Sequence, residues 1–200
     1  PRCGQVHRFG RRAGVPLDVT DEPSVAAAAA ALDQPRLVIV AVGHLHGAAG
    51  GPEKRLADLD PARLAHSYAV NAIGPALILK HMVPRLPRAG RSVVAVLTAR
   101  VGSIADNRSG GWYAYRAAKA AANQLVRTAA IEIARTRPEA VCVALHPGTV
   151  DTPLSAPFQR SAPRLFTPAE SAAHLLRVAD GLTPAQSGGF FAWDGREIPF

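Results

Sequence analysis

Cysteine is nearly absent from these 200 residues, with two in all, and methionine and the aromatic residues are scarce. Cys3 and Cys142 form no CxxC or metal-ligand spacing, which excludes a disulfide framework. Cys142 lies in the apolar run 140–145 and is expected to be a buried core thiol. Long hydrophobic runs are also missing. The longest, residues 25–32 and 37–42, fall well short of the ~18 to 20 apolar residues of a membrane-spanning helix. With no secretory signal pattern recognised, the expected setting is the reducing cytoplasm, away from any membrane. Lysine occurs only at 54, 80 and 119, so the net charge of +8 is carried almost wholly by arginine. Arg2, Arg8, Arg11 and Arg12 precede the first acid, Asp18, and the other arginines scatter through alanine-rich stretches without a stripe or interleaved aromatics. Specific nucleic-acid binding is therefore not expected.

What is present is enough apolar material for one core, 48% hydrophobic against 19% charged residues. From Val15 onward short apolar runs alternate with longer helical patterns. Candidate strands fall at 15–19, 37–42, 92–98, 141–146 and 189–193, and candidate helices at 25–32, 61–83, 112–135 and 168–179. The strands after the first are almost continuously apolar, as strands covered on both faces should be. Asp60-Pro61 and Thr167-Pro168 each place a side-chain acceptor before a proline at the first helical position, and Glu170 adds an anion in the first turn. The fold class is thus α/β, a doubly wound parallel sheet over residues 15–200, preceded by an irregular basic segment, 1–14. The loop 148–163 is long enough to be a substrate lid.

Tyr115 and Lys119 stand at i and i+4, on one helix face and about 40° apart around the axis. A phenol with a pKa of ~10 is a poor base at neutral pH, and a neighbouring ammonium is expected to favour its phenolate. Alone, Tyr-x-x-x-Lys also describes a solvated helix pair.

Its surroundings add the segments Leu17-Asp-Val-Thr-Asp21, Leu37-Val-Ile-Val-Ala-Val-Gly43, Val70-Asn-Ala-Ile-Gly-Pro75 and His146-Pro-Gly-Thr-Val-Asp-Thr152. In this order and spacing the chain resembles the short-chain dehydrogenase/reductases from about Val15 to its end. Val101-Gly-Ser-Ile-Ala-Asp-Asn107 and Gly110-Gly-Trp-Tyr-Ala-Tyr-Arg116 are similar to the C-signal and sniffer-type carbonyl reductase branch. The resemblance implies a Rossmann-like sheet and an NADP or NAD cofactor, with a small carbonyl compound or secondary alcohol as substrate. It further implies that Asp18 and Val19 meet the adenine and that Gly43 ends its strand beside the cofactor ribose. Tyr115 would be the acid/base, Lys119 would hold the nicotinamide ribose, and Pro147, Gly148, Val150 and Thr152 would wrap the nicotinamide.

Asn71 has a physical argument as well. Pro75, four residues on, has no N–H, so the carbonyl of Asn71 loses its helical partner. In the family that carbonyl binds a water relaying protons to the lysine; the alternative is that Pro75 merely kinks the helix.

Three departures stand against activity. The family's catalytic serine falls on Ala99, which cannot donate a hydrogen bond, and losing such a donor typically costs ~10²- to 10³-fold in turnover. Thr98 can substitute only if the strand end slips register, since neighbouring strand residues face opposite sides; Ser103 is the other candidate. Val40-Ala-Val-Gly43 stands where the family commonly has Asn-Asn-Ala-Gly. Finally, a first βαβ unit needs about 30 residues, and Gly4, Gly10 and Gly14 match no phosphate-cradling pattern. The opening reads as a truncated or scrambled start, which should leave strand edges bare and dinucleotide binding weak. His44, His46, His66, His81 and His174 show no metal-site spacing.

Two classes of function follow: an NAD(P)-dependent reductase, or a non-catalytic binding or signalling protein or inactive remnant on the same scaffold. The alanines at 117, 118, 120, 121 and 122 would suit pairing in a homo-oligomer or packing onto the chain's own sheet.

Overall fold

Four short apolar runs assemble the sheet. The computed structural model describes residues 4–11, 15–47 and 50–200; Arg2, Cys3, Arg12 and Gly14 lie outside the described residues. The helices are α1 (Glu22–Ala30), α2 (Pro61–Tyr68), α3 (Gly74–Met82), α4 (Tyr113–Ala134) and α5 (Pro168–Gly181). The strands are β1 (Leu37–Val40), β2 (Ser92–Leu97), β3 (Ala140–His146), β4 (Thr149–Val150), β5 (Leu165–Phe166) and β6 (Phe190–Ala192). β1, β2, β3 and β6 form one parallel sheet in that order, and β4 and β5 form a separate parallel ribbon.

Alternation along the strands sorts the core into two layers. Val94 and Val96 of β2 and Cys142 and Ala144 of β3 pack with Val25, Ile78, Val126 and Ile133 of α1, α3 and α4. Val93, Ala95, Val141, Val143 and Leu145 face Leu175 and Ala179 of α5 on the other side. Helices on both faces of a parallel sheet are the doubly wound arrangement expected. Cys142 is a free, buried thiol whose pKa burial pushes up to about 12. No helix of the described residues is long and apolar enough to cross a membrane.

Two expectations need correction. Residues 15–19 are not a strand: Val15 makes one isolated parallel bridge with Phe9, while Asp18 sits in a turn ahead of α1, whose N-cap is Asp21. The helix expected over 61–83 is interrupted by a π-turn, Ala69–Ile73, in which the N–H of Gly74 reaches back to the carbonyl of Ala69. Pro75, lacking an N–H, cannot close the ordinary bond to Asn71, and the backbone widens around that gap. The two outer strands of the sheet differ in their surroundings among the described residues. β1 has no outer neighbour and borders a groove of about 980 Å³. The far edge, at β6, is covered by residues near the C-terminus, where Ile198 N–H donates to Phe190 O and Ala192 N–H to Arg196 O.

Candidate active site

The segment just past β1 and the C-terminal end of β2 converge on Lys119, in the second turn of α4. Its Nζ donates to the carbonyl of Val42 (3.3 Å) and to that of Leu97 (3.1 Å) and lies 5.7 Å from the centre of the Tyr115 ring. Leu97 ends β2 and Val42 lies two residues past β1, and an ammonium is a fitting donor to carbonyls at such places. Gly43, the next residue after Val42, leaves room: a Cβ there would stand 3.7 Å from Asn71 Oδ1 and 3.9 Å from Lys119 Nζ. Asn71 itself bridges the following residue, its Oδ1 accepting from His44 N–H (2.9 Å) and its Nδ2 donating to His44 O (2.8 Å) and to Ser67 Oγ (3.2 Å). Gly43, Asn71, Tyr115 and Lys119 are thus brought together.

Lys119 is only 2% exposed and Tyr115 8%. Burial pulls the lysine down to about 8 and pushes the tyrosine up to about 12. The expected lowering of Tyr115 is therefore not found. Desolvation of a buried phenol outweighs an ammonium turned toward two backbone carbonyls. At neutral pH the pair is a neutral phenol beside a weakly held ammonium.

Tyr115 lies in the first turn of α4, whose start is unusual. Gly110, Gly111 and Trp112 have φ of 62°, 63° and 54°, and Trp112, the N-cap, offers no side-chain acceptor. A left-handed tryptophan stores on the order of 1 to 3 kcal/mol of strain. Glu53 supplies the partners instead: its carbonyl accepts from Trp112 N–H (2.5 Å) and its Oε2 from Ala114 N–H (3.1 Å). Trp112 in turn packs 4.8 Å from Phe158 and 6.3 Å from Tyr115. His46 Nε2 reaches the carbonyls of Pro153 and Leu154, both at 3.1 Å, tying the loop after β4 over this end of the molecule. Beneath lies a cavity of about 350 Å³ lined by His44, Glu53, His66, Ser67 and Tyr115 among others.

The remaining expected site residues are distributed around this centre. Val19 packs against Gly74, where a Cβ would meet its side chain at 2.9 Å, so it abuts the helix start beside Asn71. The exposed Asp18 carboxylate accepts from the backbone N–H and hydroxyl of Thr20 at 2.9 and 2.7 Å, bonds that hold it below the ordinary carboxylate range. Pro147 O accepts from Ser171 Oγ (3.0 Å), and Gly148, at φ 77°, lies against Phe166 and Trp193 so closely that a Cβ would meet Phe166 at 2.7 Å. Val150 O accepts from Thr152 Oγ1 (3.3 Å) and from Ser155 Oγ.

Thr98 does not slip. β2 pairs with β3 in regular register through Leu97 and Leu145, Thr98 N–H donates to Leu145 O (2.9 Å), and its Oγ1 is buried without a partner among the described residues. The strand thus reaches Ala99 in regular register. Ser103 is engaged in its own loop, accepting from Asp106 N–H (3.0 Å). Burial lowers His146, also without a partner at Nδ1, to about 4. The rings of His44 and His66 meet edge to face at 4.5 Å, and among the described residues no group of three or more potential ligands could hold a metal ion.

Glu53 and Ser67 were not singled out in the sequence. The signal was there in negative form: Gly-Gly-Trp opens a long helix without any of the residues that cap one, so the acceptor had to come from elsewhere in the fold.

A profile of the family described as Enoyl-(Acyl carrier protein) reductase matches residues 3–195. The chain is 42% identical over 146 residues to the C-signal of Myxococcus xanthus, covering 72% of this chain and 83% of that one. It is 36% identical over 180 residues to 1-hydroxy-2-glutathionyl-2-methyl-3-butene dehydrogenase of Rhodococcus sp. (strain AD45), covering 90% and 76%. Among solved structures it is similar to the NADPH-bound carbonyl reductase from chicken fatty liver, with TM-score 0.79, 27% identity and 93% and 76% of the two chains covered. Carbonyl reductase Sniffer of D. melanogaster shares the fold with TM-score 0.79 at 23% identity, covering 92% and 76%. The chain belongs to the short-chain dehydrogenase/reductase family and is by that membership an NAD(P)-dependent oxidoreductase.

Proposed function

We propose that the chain reduces a small carbonyl compound to an alcohol, with Tyr115 as proton donor, Lys119 and Asn71 as its supporting pair, and NADP or NAD as the hydride carrier. The convergence of Asn71 Oδ1 and Lys119 Nζ on Gly43, each within 4 Å of where a Cβ would stand there, with Lys119 beside Tyr115, carries this proposal. An ammonium has three N–H groups, and Val42 and Leu97 account for two at Lys119, which leaves one for a ribose hydroxyl. Gly148, at positive φ with Phe166 and Trp193 packed where a side chain would stand, fixes the course of the segment that would border the nicotinamide. The residues present thus fit the nicotinamide and its ribose; the described residues show no strand, glycine turn and helix for the pyrophosphate. Tyr115, Lys119, Pro147, Gly148, Val150 and Thr152 would hold the nicotinamide half, Gly43 its approach, and Asp18 and Val19 the adenine.

A bound reduced nicotinamide supplies hydride to the carbonyl carbon. Tyr115, neutral at pH 7, gives its proton to the carbonyl oxygen as the carbon is reduced, and the resulting phenolate is stabilised by the Lys119 ammonium. Asn71 fixes the strand-end loop through His44 and holds the helix against it. The buried thiol Cys142 suits a reducing cytoplasm. The test is NADPH oxidation, followed by absorbance with the cofactor in excess, against a panel of an aromatic aldehyde, an α-diketone and a quinone. Consumption with at least one carbonyl, abolished in Tyr115→Phe, is the expected result. One observation favours a second reading, a non-catalytic binding or signalling protein: Ala99 leaves a developing oxyanion without its usual hydroxyl donor. NADPH binding with no turnover across the panel would select it.

A further inference from the structure

We propose that Glu53 and Ser67 are positioning residues that hold the backbone of Ala114 by its N–H and its carbonyl and so set the direction of Tyr115; this rests on Tyr115 being the proton donor. Helix α4 begins without a cap of its own, and the donors of its first turn need acceptors. Glu53, on the loop after β1, takes two of them, Trp112 N–H with its carbonyl and Ala114 N–H with Oε2 at 3.1 Å. On the other side Ser67 Oγ donates to the carbonyl of Ala114 at 3.2 Å. Ala114 immediately precedes Tyr115, and both gripping side chains are buried, at 4% and 5% exposure.

A serine or aspartate at 112 would start the helix locally, with no loop involved. Here a buried carboxylate, costly unless hydrogen-bonded, does so from a loop that also lines the cavity in front of Tyr115. Its Oε1 faces Arg63 Nη2 at 3.7 Å, and Arg63 is anchored to the carbonyl of Gly51 on the same loop. Ser67 in turn accepts from Asn71 Nδ2 at 3.2 Å. The substrate-facing loop, the π-turn carrying Asn71 and the helix carrying Tyr115 are therefore linked through the backbone of one residue, Ala114. A displacement of that loop is passed to the phenol.

The test compares Glu53→Gln, which keeps the acceptor and loses the charge, with Glu53→Asp, which keeps the charge and shortens the reach. Ser67→Ala and Tyr115→Phe complete the set. Turnover of NADPH with 9,10-phenanthrenequinone is measured well below each variant's melting temperature. Glu53→Asp should lower kcat about tenfold to a hundredfold with KM within about twofold, as for a misdirected catalytic group. Ser67→Ala should lower kcat several-fold, and Glu53→Gln should stay within about threefold of the parent. Independently of activity, hydrogen exchange at the Ala114 amide should speed up at least about tenfold in Glu53→Asp and not in Glu53→Gln. Unchanged kcat in Glu53→Asp and Ser67→Ala while Tyr115→Phe is inactive, or unchanged exchange at Ala114, would overturn the proposal alone. Glu53→Gln falling as far as Glu53→Asp would replace reach by charge and overturn it too. An active Tyr115→Phe would instead remove the assignment of Tyr115 beneath it.

Discussion

At the scale of single residues, the four positions around Lys119 divide into those whose chemistry their own neighbours disclose and those disclosed only by the fold. Tyr115→Phe keeps the ring against Trp112, so it should shift the melting temperature by a few degrees at most while removing turnover. Lys119 offers a pH test. Its folded value, about 8, lies below the 10.5 of an exposed lysine, so between these values the unfolded chain holds more protons at this position and stability rises with pH. The wild-type stability relative to Lys119→Met should therefore grow from pH 8 to 10, by up to about 3 kcal/mol. Referring to that variant cancels Cys142 and Tyr115, both raised by burial and destabilising in the opposite direction above pH 9 and 10. A flat difference would mean that the ammonium is well hydrated. Thr98→Val should add about 1 kcal/mol by removing an unpartnered buried hydroxyl, whereas Ala99→Ser should raise kcat about tenfold or more; equal kcat in Ala99→Ser would show that residue 99 does not face the reacting carbonyl. The pairing of Tyr115 with Lys119 was legible because i, i+4 spacing on a helix is a local matter. Their pKa directions were not, since desolvation depends on what the rest of the chain stacks around them.

Among elements, β2, β3 and α5 follow their patterns closely, because continuous apolar runs and an Asp/Thr-Pro start are signals written within a few residues. The stretch 61–83 shows the limit of such signals. Its periodicity promised a continuous helix and Pro75 a flaw in it, but the π-turn of Ala69–Ile73 is the response of the whole backbone to one absent N–H. Returning that N–H in Pro75→Ala should let the turn relax toward α geometry, rotating Asn71 away from its two bonds with His44. Turnover should fall about tenfold or more with helix content by circular dichroism preserved; full turnover in this variant would separate the π-turn from catalysis. The segment 15–19 misled for the opposite reason. Its alternation suits a strand, but a strand needs a partner, and Val15 has only Phe9.

For the molecule as a whole, the parallel sheet with helices on both faces was readable from the order of patterns along the chain, and the fate of its edges was not. The cover over β6 comes from Arg196 and Ile198, residues with no strand signature, so that edge is closed by chance-looking sequence. These 200 residues should bind NADPH more weakly than micromolar, read by energy transfer from Trp112 to the reduced nicotinamide, because the proposed adenine and nicotinamide contacts stand, among the described residues, without a backbone nest for the pyrophosphate. A micromolar constant would reveal a phosphate site in the segment before α1. The open side of β1 has a further meaning for the engineer. Among the described residues no strand pairs with the outer side of β1, which borders a groove of about 980 Å³, and this makes the fold divisible, able to take a strand in trans by backbone pairing. A synthetic apolar peptide docking there would act as the second half of a split reporter, and the strength of its signal would count how many hydrogen bonds the edge of this sheet can still make.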